Sequence, residues 1–448
     1  MNYPVACDGV VHFPKKNALI ISGIQNILYF CLPKPNNKIL TKKGMEYIDK
    51  FKYLKSIESF DTDEIDIDNE TVLRNFDFES KFGSILPGGS ENSISAGDIP
   101  DFVYEHEPDV IQEMLNKNDY EIAENIRFRY HIMMPKGIEK SKDILFLFHG
   151  FNEKYWAKYF PWAKYIVEKT GKTVVFFPIA FHMNRAPALW SSSRDMYKVS
   201  EQRKKRHPDI ICSTFSNVAI STRLHNNPKR LIWSGLQTYY DVIEFIKSIK
   251  NDQHPVISPD AKIDIFSYSI GSFLAEVLML TNEFGFFSET RLVSFCGGAA
   301  FNRMSPVSKA ILDSEADVSI YSHIIEHLES HLKRDETLRR YIGGDFAVGM
   351  NFKSMLNYNV SISHREERFR EMSNRIYAIV LKGDAVMPPH EVLNILNGIY
   401  RDIPIKVDIF DFPYKYTHEE PFPILEKVKE QVSEHFKKTF DLICDFLQ

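Results

Sequence analysis

Cysteine is scarce: five are scattered along 448 residues, at positions 7, 31, 212, 296 and 444, and no two form a CxxC pair. A disulfide scaffold needs a dense, even set in a short chain, so that class is excluded and reducing, cytoplasmic surroundings are expected. Glycine shows no phosphate-binding pattern, since Gly297-Gly298 and Gly343-Gly344 fit neither a P-loop nor a G-x-G-x-x-G turn. Neither sign of charge dominates: 55 Lys and Arg stand against 60 Asp and Glu, a net charge of −5. That balance gives no general reason to expect nucleic acid or an anionic membrane as partner. Long apolar runs are missing as well. The stretch 17–32 (NALIISGIQNILYFCL) carries Gln25 and Asn26 and is too short and polar to span a bilayer. It follows a polar lead, with no small-residue cleavage site after it, and reads as two adjacent strands rather than a targeting signal. No internal repeat stands out.

What is present suits a soluble, globular protein. Hydrophobic residues make up 44% and aromatics 13%, ample for a large core. The length exceeds the usual single domain, which predicts one core with insertions or two domains. Residues 1–120 hold acidic runs (61–70 and 98–109) and a Pro-Gly-Gly-Ser break at 87–90, with patchy periodicity. They read as an accessory segment wrapping the main domain.

Residues 121–448 read as that domain. IRFRYHIMM from Ile126 alternates, as a half-buried strand does. Ile144–Phe148, Thr173–Phe177, Ile263–Phe266, Leu292–Phe295, Ile376–Leu381 and Val407–Ile409 follow as short apolar strands. Helical patterns lie at Tyr155–Lys169, Tyr239–Ile249 and from Ile424 onward. Apolar strands alternating with helices predict an α/β fold, a parallel sheet covered on both faces. Two insertions interrupt it, 183–235 and a helical 302–372, both expected as lids over the carboxyl ends of strands.

Four motifs follow strands. Ser267-Tyr268-Ser269-Ile270-Gly271 sits between the IDIF strand and an apolar helix, the order a nucleophile elbow needs. Ser267 stands where that turn usually has glycine, and small residues are required there because strand and helix backbones nearly collide. His149-Gly150-Phe151 ends an earlier strand; amides after the nucleophile and in this loop can hold an oxyanion, here those of Ile270 and Phe151. Asp384, in GDAVMPP, suits an acid that orients an imidazole, or else caps a helix. His418, in THEEPFP, precedes the last helix. Ser269, Asp384 and His418 come in the chain order nucleophile, acid, base.

Through FHGF at 148–151, SYSIG at 267–271, GDAVMPP at 383–389 and THEEPFP at 417–423, roughly the last two-thirds of the chain resembles the α/β-hydrolase superfamily, in its serine-nucleophile form and as found in bacteria. The resemblance implies a mainly parallel eight-stranded sheet with helices on both faces, a Ser-His-Asp triad and an acyl-enzyme route without cofactor or metal. The implied substrate is a small-molecule carboxylic ester or related acyl compound. His182 and Arg185, after the TVVFF strand, and Tyr268 are candidate substrate contacts. Neither the acyl acceptor nor the oligomeric state is readable. Two rivals come from other classes: a zinc hydrolase using His323-Ile324-Ile325-Glu326-His327, an H-x-x-E-H pattern with His331 on the same face, and a binding protein that kept the fold without catalysis. The basic run Arg203–His207 reads as a solvated surface, and the aromatics from Tyr155 to Trp162 as core or pocket wall.

Overall fold

The computed structural model describes residues 45–92, 110–344 and 346–448. The two strands expected within 17–32 and the acidic run 98–109 lie outside the described residues. Nine strands form one sheet: β1 (Glu64–Asp66), β2 (Thr71–Glu79), β3 (Arg127–Pro135), β4 (Ser141–Phe148), β5 (Thr173–Phe176), β6 (Ile257–Tyr268), β7 (Leu292–Phe295), β8 (Ile376–Leu381) and β9 (Lys406–Phe410). Their order is β1-β2-β3-β5-β4-β6-β7-β8-β9, so the expected eight is corrected to nine. β1, β2 and β3 join antiparallel, and every pairing from β5 through β4 to β9 is parallel.

The two strands without a sequence expectation, β1 and β2, come from the part of the chain with patchy periodicity. β2 pairs along its whole length with β3, from Thr71↔Pro135 to Glu79↔Arg127. Its first three residues are buried, and its buried Asn75 donates to the carbonyls of Ser59 and Thr62. A polar group satisfied inside a covered strand erases the alternation that would mark it.

The inner parallel strands are apolar because helices cover both faces, whereas the edge strand β9 stays half-exposed. Alternate residues part cleanly. Ile144, Phe146 and Phe148 of β4 join one cluster with helices Lys229–Lys250 and Ile270–Thr281, while Leu145 and Leu147 join another with helices Tyr47–Ile57, Phe160–Thr170 and Lys429–Leu447. The first of these helices starts ten residues before the expected Tyr239, shortening the first insertion. That insertion carries helices Ser193–Arg206 and Val218–Asn226, and the second carries helices between Ser314–Ile320 and Ile362–Glu371. From β4 the chain goes to β5 on one side, then crosses to β6 on the other. The strand order therefore reverses beside β4, and the crevice beyond the carboxyl ends of β4 and β6 is where such sheets bind ligands. No helix among the described residues is long and apolar enough to cross a membrane.

Candidate active site

Both strands at that reversal end in motif residues: β4 runs into His149-Gly150-Phe151 and β6 into Ser269. Ser269 has φ 56° and ψ −125°, a left-handed backbone that costs of order 1–3 kcal/mol for a non-glycine residue. It persists because the ladder of β6 holds one side and the first turn of the helix Ile270–Thr281 the other. Gly271 is obligatory: a Cβ there would stand 2.6 Å from the Phe148 oxygen and 2.8 Å from the His149 oxygen. Ser267, where glycine is usual, instead finds room for its hydroxyl. Its Oγ shares a hydrogen bond with Ser272 Oγ (3.0 Å) and donates to the Val293 carbonyl (3.2 Å).

His418 and Asp384 meet this serine from separate loops. His418 Nε2 lies 2.7 Å from Ser269 Oγ, and Nδ1 lies 2.7 Å from Asp384 Oδ2. All three residues are buried, with exposures of 4–5%. Asp384 Oδ1 accepts the amides of Val386 (2.9 Å) and Met387 (2.8 Å), which leaves Oδ2 to the imidazole. Asp408 and Asp411 are engaged elsewhere, with Tyr377 (2.5 Å) and Lys382 (3.0 Å).

The Phe151 loop is clamped. His149 Nδ1 donates to the Gly150 carbonyl (2.8 Å) and Nε2 accepts the Ile179 amide (2.9 Å), a pattern only a neutral imidazole can make. Burial, with His182 adding, holds its pKa well below the usual imidazole range. The Gly150 amide donates to Tyr159 Oη (2.9 Å), whose own hydroxyl donates to Glu153 Oε1 (3.0 Å). With the Gly150 carbonyl pinned on one side, the Phe151 amide of the same planar peptide points the opposite way. Among the described residues that amide meets no acceptor. Ile270 opens its helix, so its amide has no acceptor within the helix either.

Ser269, Phe151 and Ile270 face one slot, whose remaining walls are apolar: Leu231, Phe301, Met304, Pro306, Ile311, Leu312, Ile320 and Val386. Its volume is about 20 Å³, room for one or two waters. The segment 306–312 forms much of the wall. It is tied down by Ser308 Oγ to Glu419 (2.7 Å), Asn217 to the Ser308 carbonyl (2.8 Å) and Asn152 to the Ala310 carbonyl (2.5 Å).

None of the three candidate substrate contacts lines the slot or the cavity beside it. Arg185 is fully buried, bonded to Asp241 (2.9 Å), to the Pro178 carbonyl and to both oxygens of Asn125. His182 packs its ring on Phe151 at 5.2 Å and binds the Ala180 carbonyl; burial brings its pKa down to about 4. Tyr268 stacks on the His418 ring (5.5 Å between centroids), and its hydroxyl donates to the His418 carbonyl. It supports the histidine and lines neither the slot nor the wider cavity beside it. Tyr159 and Glu153 carry no motif of their own; their proximity to HGF in sequence was the one available signal. In the H-x-x-E-H stretch, Tyr321–Glu326 is a π-helix that breaks at His327, and His323 stacks on His331 at 3.8 Å. Among the described residues no three His, Cys, Asp or Glu side chains are grouped to hold a metal. Of the basic run, Arg203 is buried on Asp313 through two bonds (2.7 and 2.9 Å), whereas Lys204, Lys205 and Arg206 are exposed.

No curated protein matches the sequence. Among solved structures, the chain is similar to esterase Est22 (13% identity, TM-score 0.43, covering 89% of this chain and 85% of that one). It is also similar to carboxyl esterase 2 (TmelEST2) from the mycorrhizal fungus Tuber melanosporum (12% identity, TM-score 0.39, 71% and 80%). Vibralactone cyclase is a third (11% identity, TM-score 0.37, 72% and 77%). One family model matches residues 45–448, and the chain accordingly belongs to the family described as a family of unknown function, DUF6051.

Proposed function

We propose that the protein is a serine hydrolase of the α/β-hydrolase kind that cleaves a carboxylic ester or related small acyl compound. The observation that carries this reading is the unbroken line Ser269 Oγ–His418–Asp384, with both links at 2.7 Å and the serine on a strained strand-to-helix turn. Ser269 Oγ attacks the acyl carbonyl as its proton passes to His418 Nε2. Asp384 holds the Nδ1 proton and stabilises the imidazolium. The amides of Phe151 and Ile270 receive the oxyanion, each worth on the order of 3 kcal/mol in the transition state. The tetrahedral adduct collapses, and the alcohol leaves with the proton from His418. Water then repeats the sequence on the acyl-enzyme, releasing the acid and restoring Ser269.

The apolar slot is the acyl pocket in this reading. Its small volume suits a short acyl group, with the 306–312 segment as one of its walls. The test is labelling of the full-length protein by a fluorophosphonate probe, with Ser269→Ala beside it. Labelling that vanishes in the variant supports the reading; an equally labelled variant, or an unlabelled but folded native protein, overturns it.

A further inference from the structure

Beside the serine slot lies a cavity of about 460 Å³, within the usual range for small-molecule sites. Phe151 and Ile311 line both spaces, so the two are neighbours. The slot has no polar side chain other than Ser269 and cannot hold a charged group cheaply. The larger cavity differs. Aromatic rings share its walls with Glu153, Lys154, Lys158, Glu419 and Glu420.

Glu153 and Lys158 pair with each other, and the other two carboxylates are hydrogen-bonded or solvated. Lys158 is bonded to Glu153 and to the Glu419 carbonyl. Glu153 also takes the Tyr159 hydroxyl, and Glu419 takes Ser308. Glu420 is exposed, so water solvates its charge. Lys154 is different. Its Nζ donates to the Trp190 carbonyl at 3.2 Å and has no carboxylate within ion-pair distance among the described residues. It is partly buried, and burial alone pushes its pKa down to about 8. A cation held out of water without a counter-charge carries a cost that a bound anion offsets. Lys154 also follows Phe151 by three residues, which keeps its Cα within about 11 Å of the oxyanion loop.

We propose that this cavity receives the leaving alcohol of the substrate and selects alcohols bearing a carboxylate or comparable anion, with Lys154 as the counter-charge. The inference rests on the hydrolase reading above and adds the substrate class. An apolar acyl group enters the slot; an anionic, ring-sized leaving group lies among the aromatic walls with its charge at Lys154.

The experiment compares two acetyl esters of matched shape, the anionic 4-acetoxybenzoate and the neutral 4-acetoxybenzamide, on the full-length protein. A second readout is free of acyl preference: protection of Ser269 from fluorophosphonate by 4-hydroxybenzoate against 4-hydroxybenzamide. One charge-assisted bond predicts a preference of roughly 10- to 100-fold for the carboxylates in kcat/KM and in protection. Lys154→Gln brings each ratio close to one, while Lys154→Arg, which keeps the charge, retains most of it. A melting curve for each variant confirms that it folds. Ratios near one in the native protein, or ratios that Lys154→Gln leaves untouched, overturn the proposal while the labelled serine still stands. Loss of Ser269 labelling itself, with neither ester cleaved, overturns the hydrolase reading and this inference together.

Discussion

Gly271→Ala is the perturbation that separates the geometry of the elbow from the stability of the fold. The added methyl would lie 2.6 Å from the Phe148 oxygen, 0.8 Å inside ordinary contact at 3.4 Å (3.4 − 2.6). Both crowding oxygens, of Phe148 and His149, belong to backbone, so no side chain can swing aside. Relief requires the helix Ile270–Thr281 to retreat from the end of β4. Overpacking of this kind costs about 1–3 kcal/mol, a modest fall in Tm for a chain this long. The same retreat moves the Ile270 amide away from the Phe151 amide by a sizeable fraction of an ångström. Misplacement near 1 Å, or loss of one oxyanion donor, costs ~100-fold or more in kcat. The expected signature is thus a large loss of rate beside a small loss of stability. Thermal melts and fluorophosphonate labelling rates measure the two sides. Ser267→Gly is the companion: it deletes the bonds to Ser272 and Val293, a cost of about 1–2 kcal/mol with the added chain freedom, and leaves the elbow in place. Gly271→Ala with native labelling and native Tm, or Ser267→Gly as the slower of the two, would refute the reasoning.

Two other substitutions test single groups. Asp384→Asn keeps the acceptor for the Val386 and Met387 amides but turns an NH2 toward His418 Nδ1, driving the imidazole proton to Nε2, where it cannot receive the serine's; kcat for a short ester should fall ~10⁴-fold, and a loss under tenfold would remove Asp384 from the triad. Glu276, on the elbow helix, is fully buried with neither carboxylate oxygen hydrogen-bonded, and burial raises its pKa well above 4.5 although Arg365 opposes the shift. Because the folded state holds this proton more tightly than the unfolded chain, the group's stabilisation is complete below pH about 4.5 and is lost as pH rises toward the folded value. Glu276→Gln should flatten that decline in Tm as pH rises above about 4.5; an unchanged slope would show that Glu276 does not titrate differently on folding.

Local rules made much of the sheet legible. β3 to β9 each contain an apolar or alternating run, and in the inner strands burial on both faces leaves little choice of residue. β2 was hidden since its polar residues are satisfied by partners elsewhere: Arg74 by Glu64, Asn75 by the 59–62 turn. The first insertion is shorter than expected because helix Lys229–Lys250 begins ten residues before Tyr239, with Leu231, Ile232, Trp233 and Leu236 already on its buried face. Arg185, a candidate substrate contact by its place after the TVVFF strand, is held by Asp241, 56 residues away, in a buried ion pair.

The same division runs through the candidate site. Strand, tight turn and helix around Ser269, and a loop after a strand at Asp384 and His418, follow from residue types within a few positions of each. Their meeting does not: Asp384 and Ser269 reach His418 across 34 and 149 residues, and only the parallel sheet, setting strand ends side by side, converts chain order into hydrogen bonds of 2.7 Å. The clamp on Gly150, the closure of the slot by 306–312 and the lone charge of Lys154 arise the same way. Each depends on which groups remain unpaired once distant segments have packed, a sum over the whole fold that no local window of residues contains.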